Sequence, residues 1–137
     1  MKKRAVITGI GVITPIGCGT DAFWSAALAG TTACAPIPEH WRMFHQPLST
    51  IWAPLPTSDF GPFGVSRIEA SQMDKAQQIA LACAGQAIES AAIQCDVKDD
   101  RKRTWSLRGI DTEATGIFMG TGMGGSHSLA LTSKPAP

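Results

Sequence analysis

The chain has no tyrosine, so no active site in it can use a catalytic phenol. It has little net charge. Twelve Lys and Arg against eleven Asp and Glu leave a formal charge of +1, which gives no reason to expect nucleic acid or an acidic surface as partner. It has no C-x-x-C pair, and the spacing of Cys18, Cys34, Cys83 and Cys95 matches no metal-ligand pattern. Such cysteines read as reduced thiols of a cytosolic protein, since cytosolic disulfides are rare. It has no H-E-x-x-H pair: His40, His45 and His127 lie far apart and read as surface or packing residues. It has no G-x-S-x-G elbow. No apolar run is long enough to span a bilayer, so no membrane partner is expected and the location expected is cytoplasmic.

What is present is globular. Forty-four per cent of the 137 residues are hydrophobic and 17% charged, enough for one ordinary domain or part of a larger one. The organising stretch is Ala5 to Gly17, AVITGIGVITPIG. Its branched residues suit a strand over 5–13 buried on both faces, and Pro15, without an N–H, ends it. Lys2, Lys3 and Arg4 ahead of an apolar run to Cys18 resemble a lipoprotein signal. Three glycines and Pro15 in the run argue against that reading. A second stretch, Thr115 to Gly125, TGIFMGTGMGG, reads as a short apolar strand over 115–120 entering a glycine-rich turn. Two buried strands with helices between them predict an α/β sheet built from both ends of the chain.

Between the strands, Thr20 or Asp21 is expected to cap a helix to about Ala29, with Gly30 as its stop. Phe23 and Trp24 predict that this helix packs on the sheet. Residues 31–67 carry six prolines spread among aromatics; they read as a long, ordered, irregular excursion with room for a short hairpin. Ser71 to about Gln94 predicts the best helix, capped by Ser71 with Asp74. Its face of Ala76, Ile79, Ala80, Cys83, Ala84, Ala87, Ile88 and Ala91 is mostly small and allows a close neighbour. Asp96 to Arg108 reads as a charged, solvated connection. Residues 126–137 begin like a helix and stop at Pro135.

Gly120, Gly122 and Gly125 fit the dinucleotide spacing G-x-G-x-x-G. The fit is partial: the motif needs a full following helix and an acidic residue about twenty positions on, and the chain ends first. Thr8-Gly9 resembles the start of the T-G-x-x-x-G-x-G loop of short-chain dehydrogenases, but Ile13 stands where the second glycine belongs and the required tyrosine is absent. No cofactor is expected.

Four blocks taken together carry a resemblance. RAVITGIGVITPIG (4–17), FWSAALAG (23–30), MDKAQQIALACAGQAIESAAI (73–93) and TGIFMGTGMGG (115–125) resemble, in order and spacing, the N-terminal part of a β-ketoacyl-[acyl-carrier-protein] synthase. The resemblance implies a thiolase-like αβαβα fold of two similar halves, with this chain as an incomplete first half. It makes 1–137 a partial domain, with 31–67 an excursion and 126–137 an atypical tail. It implies decarboxylative condensation of acyl thioesters with malonyl-carrier protein in fatty acid or polyketide synthesis. The partners implied are acyl carrier protein and a second subunit, in a homodimer or heterodimer of the parent enzyme.

The family's nucleophilic cysteine and two histidines match no position here, so no catalytic residue is assigned and the chain alone is expected to be inactive. Cys83 sits on an alanine face. Cys18 lies ahead of a helix N-terminus, a better setting for a thiolate, yet it lacks the histidines. By resemblance Met123 touches the acyl tunnel. The alternative roles are a non-catalytic partner like a chain-length factor, and a non-functional remnant. With only part of the covering helices present, the two buried strands are expected to leave an apolar patch exposed.

Overall fold

The structure, a computed structural model, describes residues 4–42, 50–55, 67–99, 104–122 and 124. In chain order its elements are β1 (Ile13–Thr14), β2 (Gly17–Cys18), α1 (Thr20–Leu28), β3 (Ala35–Pro36), α2 (Glu39–Arg42) and β4 (Ile51–Trp52). They continue with α3 (Arg67–Gln72), α4 (Lys75–Ser90), β5 (Cys95–Asp99) and β6 (Thr104–Leu107). The strands pair as three separate antiparallel two-stranded sheets, β1–β2, β3–β4 and β5–β6. The chain is mixed helix and strand. It divides into two compact units, Gly11–Asp59, and Met1–Ile10 with Phe60–Pro137.

In the unit of Gly11–Asp59, Pro15 does end a strand, but the strand is only Ile13–Thr14 and it turns straight back. Thr14 pairs with Gly17 and Ile13 with Cys18, and the Thr14 hydroxyl donates to the Gly17 carbonyl at 3.0 Å. Gly17 is required by close approach, since a Cβ there would lie 2.6 Å from the Phe23 backbone nitrogen. The N-cap of α1 is Gly19, at φ 86°, with no side-chain cap bond; Thr20 is the first helical residue and does not cap. The C-terminus follows the expectation. Gly30 adopts φ 65°, its N–H donates to the Ala27 carbonyl, and the Thr31 N–H donates to the Ala26 carbonyl. Those two bonds are a Schellman motif.

The expected packing of α1 on a sheet is corrected. Phe23 is half-buried and Trp24 exposed, because a hairpin of two residues per strand cannot cover two large rings. The excursion does contain a hairpin, β3–β4, pairing Ala35 with Trp52 and Pro36 with Ile51. Ile37, which follows it, is buried, and Trp41 meets Trp52 edge-to-face with centroids 4.6 Å apart. Such a pair adds about 0.5–1.5 kcal/mol beyond its buried area, which ties Trp41 of α2 to Trp52 of the hairpin.

In the other unit the alanine-rich helix is broken in two. Asp74 is the N-cap of α4, so the expected box of Ser71 with Asp74 is replaced by one of Asp74 with Gln77. The Asp74 Oδ1 accepts from the Ala76 N–H at 2.8 Å, and the Gln77 Oε1 accepts from the Asp74 N–H at 2.9 Å. Gln78 closes the break: its amide donates to the carbonyls of Ala70 and Met73 at 2.8 and 3.1 Å, satisfying the open end of α3. α4 ends at Ser90, before the expected Gln94, in a second Schellman motif. Ala92 donates to Glu89 and Ile93 to Ile88, with Ala92 itself at φ 54°.

The small face of α4 receives a close neighbour, as expected. A Cβ on Gly9 would collide with the Ala87 carbonyl oxygen and lie 2.8 Å from the Ala91 Cβ. The Ile10 N–H reaches the Ser90 hydroxyl at 3.5 Å. The buried residue of the helix is Ala82, beside the expected stripe; Ile79, Ala80, Cys83, Ala87 and Ile88 are half-buried, and Ala76 and Ala84 exposed.

Two further expectations are corrected in this unit. The stretch 96–108, read as a solvated connection, carries two paired strands, with 100–103 outside the described residues. β5 and β6 pair Cys95 with Leu107, Asp96 with Ser106 and Val97 with Trp105. Charge closes its base: Arg108 grips Asp96 with two hydrogen bonds of 2.7 and 3.1 Å and reaches the Gln94 Oε1 at 2.7 Å. The Asp96 hydrogen bond and charge raise the Arg108 pKa above its ordinary value. Of the segments read as buried strands, 5–13 and 115–120, only Ile13 carries strand pairing among the described residues. Ile7 is 83% and Phe118 96% exposed. A strand read from branched residues still needs neighbours for its N–H and C=O groups, and those groups have no adjacent strand among the described residues. Val6, Ile117 and Met119 of these segments are exposed as well.

Candidate functional site

A concave feature lies where α4 begins. Ala76, Gln77, Ile79 and Ala80 of α4 form one wall, and Met119, Gly120, Thr121 and Gly124 the other. The groove between them has a volume of about 550 Å³. A Cβ on Gly120 or Gly122 would meet nothing within 4 Å, so neither glycine is required by close approach. Gly124 is different: a Cβ there would lie 3.5 Å from the Ala76 Cβ and 2.7 Å from the Thr121 hydroxyl. The Gly124 N–H donates to that hydroxyl at 3.2 Å, which fixes the turn.

Little in this groove suits chemistry. The Asp74 carboxylate, which also lines it, caps the helix and so occupies the end that would otherwise attract an anion. The Gln77 side-chain Oε1 accepts from the Asp74 N–H. The remaining walls are largely aliphatic or glycine. Such a surface selects by shape and by burial of apolar area.

Met123, the residue expected at the acyl tunnel, lies outside the described residues, as does Gly125 of the G-x-G-x-x-G match. Its neighbours Gly122 and Gly124 are described, and Gly124 lines the groove. None of the four cysteines is in a disulfide. Cys18 is exposed in β2, directly before the Gly19 N-cap of α1; Cys34 is exposed; Cys83 is half-buried on α4; Cys95 is exposed at the start of β5. His45, His127 and the side chain of His40 lie outside the described residues. No group of three His, Cys, Asp or Glu able to hold a metal occurs among the described residues. No helix among them is long and apolar enough to cross a membrane. The sequence reading missed the role of Asp74 and Gln77 at the mouth of the groove. The signal was there, as an acceptor followed three residues later by Gln ahead of an apolar run.

Comparison with known proteins then decides the family. The model of the β-ketoacyl synthase N-terminal domain matches residues 2–136. The chain belongs to this family. It is 34% identical over 130 residues to the tetracenomycin polyketide synthase ketoacyl synthase alpha subunit of Streptomyces glaucescens, covering 93% of this chain and 26% of that protein. It is 28% identical over 137 residues to 3-oxoacyl-[acyl-carrier-protein] synthase 2 of Staphylococcus aureus strain N315, covering 97% of this chain and 28% of that one. The chain thus spans about a quarter of the length of these β-ketoacyl synthases. No solved structure gives a significant match.

Proposed function

We propose that this chain is the N-terminal part of a condensing enzyme of thiolase-like αβαβα fold, with residues 1–137 a partial domain of its first half. The parent enzyme moves an acyl group from a carrier thioester onto a cysteine thiol. It then joins the acyl carbon to the malonyl-carrier carbon with loss of carbon dioxide, forming a β-ketoacyl-carrier thioester and freeing the thiol. The observation that carries this reading is the family match over 2–136. The relatives' names add support, one a polyketide ketoacyl synthase and one a 3-oxoacyl-[acyl-carrier-protein] synthase. Acyl carrier protein is the partner proposed, a second subunit is expected in the parent, and the setting proposed is cytoplasmic.

No residue of this chain is assigned to the bond-making steps. A thiolate needs an electropositive setting and the oxyanion needs preformed donors; neither Cys18 nor Cys83 matches the family's nucleophile. Met123 is proposed to lie against the acyl chain, where a flexible thioether yields as the chain enters. The groove lined by α4 with Met119, Gly120, Thr121 and Gly124, which flank Met123 in sequence, supports that role.

The test is incubation with labelled acyl-carrier protein and malonyl-carrier protein, of the 137-residue chain and of the product of its reading frame extended downstream. The extended protein is expected to form the β-ketoacyl product and the chain alone to form neither product nor acyl-protein. Acylation of Cys18 in the chain would make it a transferase, and condensation by the chain would overturn the reading. In the extended protein Met123→Phe is expected to shorten the longest acyl chain accepted, and an unchanged profile would remove Met123 from the tunnel.

A further inference from the structure

We draw no further inference here: the strongest candidate, the apolar hollow on α4 lined by Leu81, Ala84, Gly85, Ile88, Ile93 and Cys95, carries nothing because nothing in the structure shows what covers it.

Discussion

Helix α4 and the segments 5–10 and 115–119 belong to the same compact unit, and both read clearly in the sequence, yet they end differently. α4 forms with both ends closed by its own neighbours: Asp74 and Gln77 at the start, the Glu89 and Ile88 carbonyls at the finish. The two strand-like segments keep their apolar residues in solvent and pair with no strand among the described residues. The difference lies in where each element finds its hydrogen bonds. A helix bonds to itself and needs only caps from adjacent residues. A strand bonds to another strand, and burial on both faces needs layers above and below it. The segments at 5–10 and 115–119 are therefore specified by sequence for an environment that must be supplied by other elements.

The sharpest way to break this contrast is to ask whether the apolar segments find partners between copies. The isolated chain is expected to self-associate, its apparent mass in sedimentation rising with concentration. Burying an Ile or Phe side chain is worth about 1.5–3 kcal/mol. Ile7→Lys and Phe118→Lys should each weaken association about tenfold or more. A monodisperse monomer with one sharp cooperative thermal transition would show that these segments need no cover.

Next in size is the contact that does tie the N-terminal segment to α4. Gly9 leaves no room for a side chain beside Ala87 and Ala91. Gly9→Val should cost about 1–3 kcal/mol, the usual range for overpacking, read as a lower denaturant midpoint of the parent protein. An unchanged midpoint would mean that the segment does not rest on the helix.

What was legible in the sequence follows the same division. The strand end at Pro15, the stop at Gly30, the small face of α4 and the hairpin inside the excursion are all local signals, and all are seen. The cap at Asp74 was misplaced by three residues, because Ser71 and Asp74 both precede the periodic run and the break closed by Gln78 has no signature of its own. The β5–β6 hairpin was hidden by its charges: Asp96 and Arg108 look like solvated-loop residues until paired across its base. The sheet expected between the two ends of the chain is not formed among the described residues, whose strand pairings all join successive strands. The family was legible from four blocks jointly, while Met123 stands on resemblance alone.

A smaller effect tests the closed end of α4. Asp74→Ala removes the acceptor for the Ala76 N–H and should cost about 1 kcal/mol, with reduced helix signal in circular dichroism. Asp74→Asn keeps an acceptor and should recover most of it. Equal loss from both would assign the effect to charge at the helix N-terminus and not to the cap bond.

The smallest effect concerns how α4 stops. α1 and α4 close with the same pair of carbonyl bonds, but the left-handed residue is Gly30 in one and Ala92 in the other. Glycine meets no Cβ penalty there, whereas an alanine held at positive φ does. Against this, glycine gives the unfolded chain more freedom to lose. The left-handed penalty is the larger of the two, so Ala92→Gly should stabilise the helix end by up to about 1 kcal/mol. The amide of Ile93, bonded to the Ile88 carbonyl at 3.1 Å, reports it directly. Its hydrogen exchange should slow by up to about fivefold, the equivalent of 1 kcal/mol, while exchange at Thr31, bonded to the Ala26 carbonyl, stays unchanged. The reciprocal Gly30→Ala should speed exchange at Thr31 and leave Ile93 alone. Were Ala92→Gly to speed exchange at Ile93, the entropy of the unfolded glycine would outweigh the strain, and the two helix ends would not be equivalent.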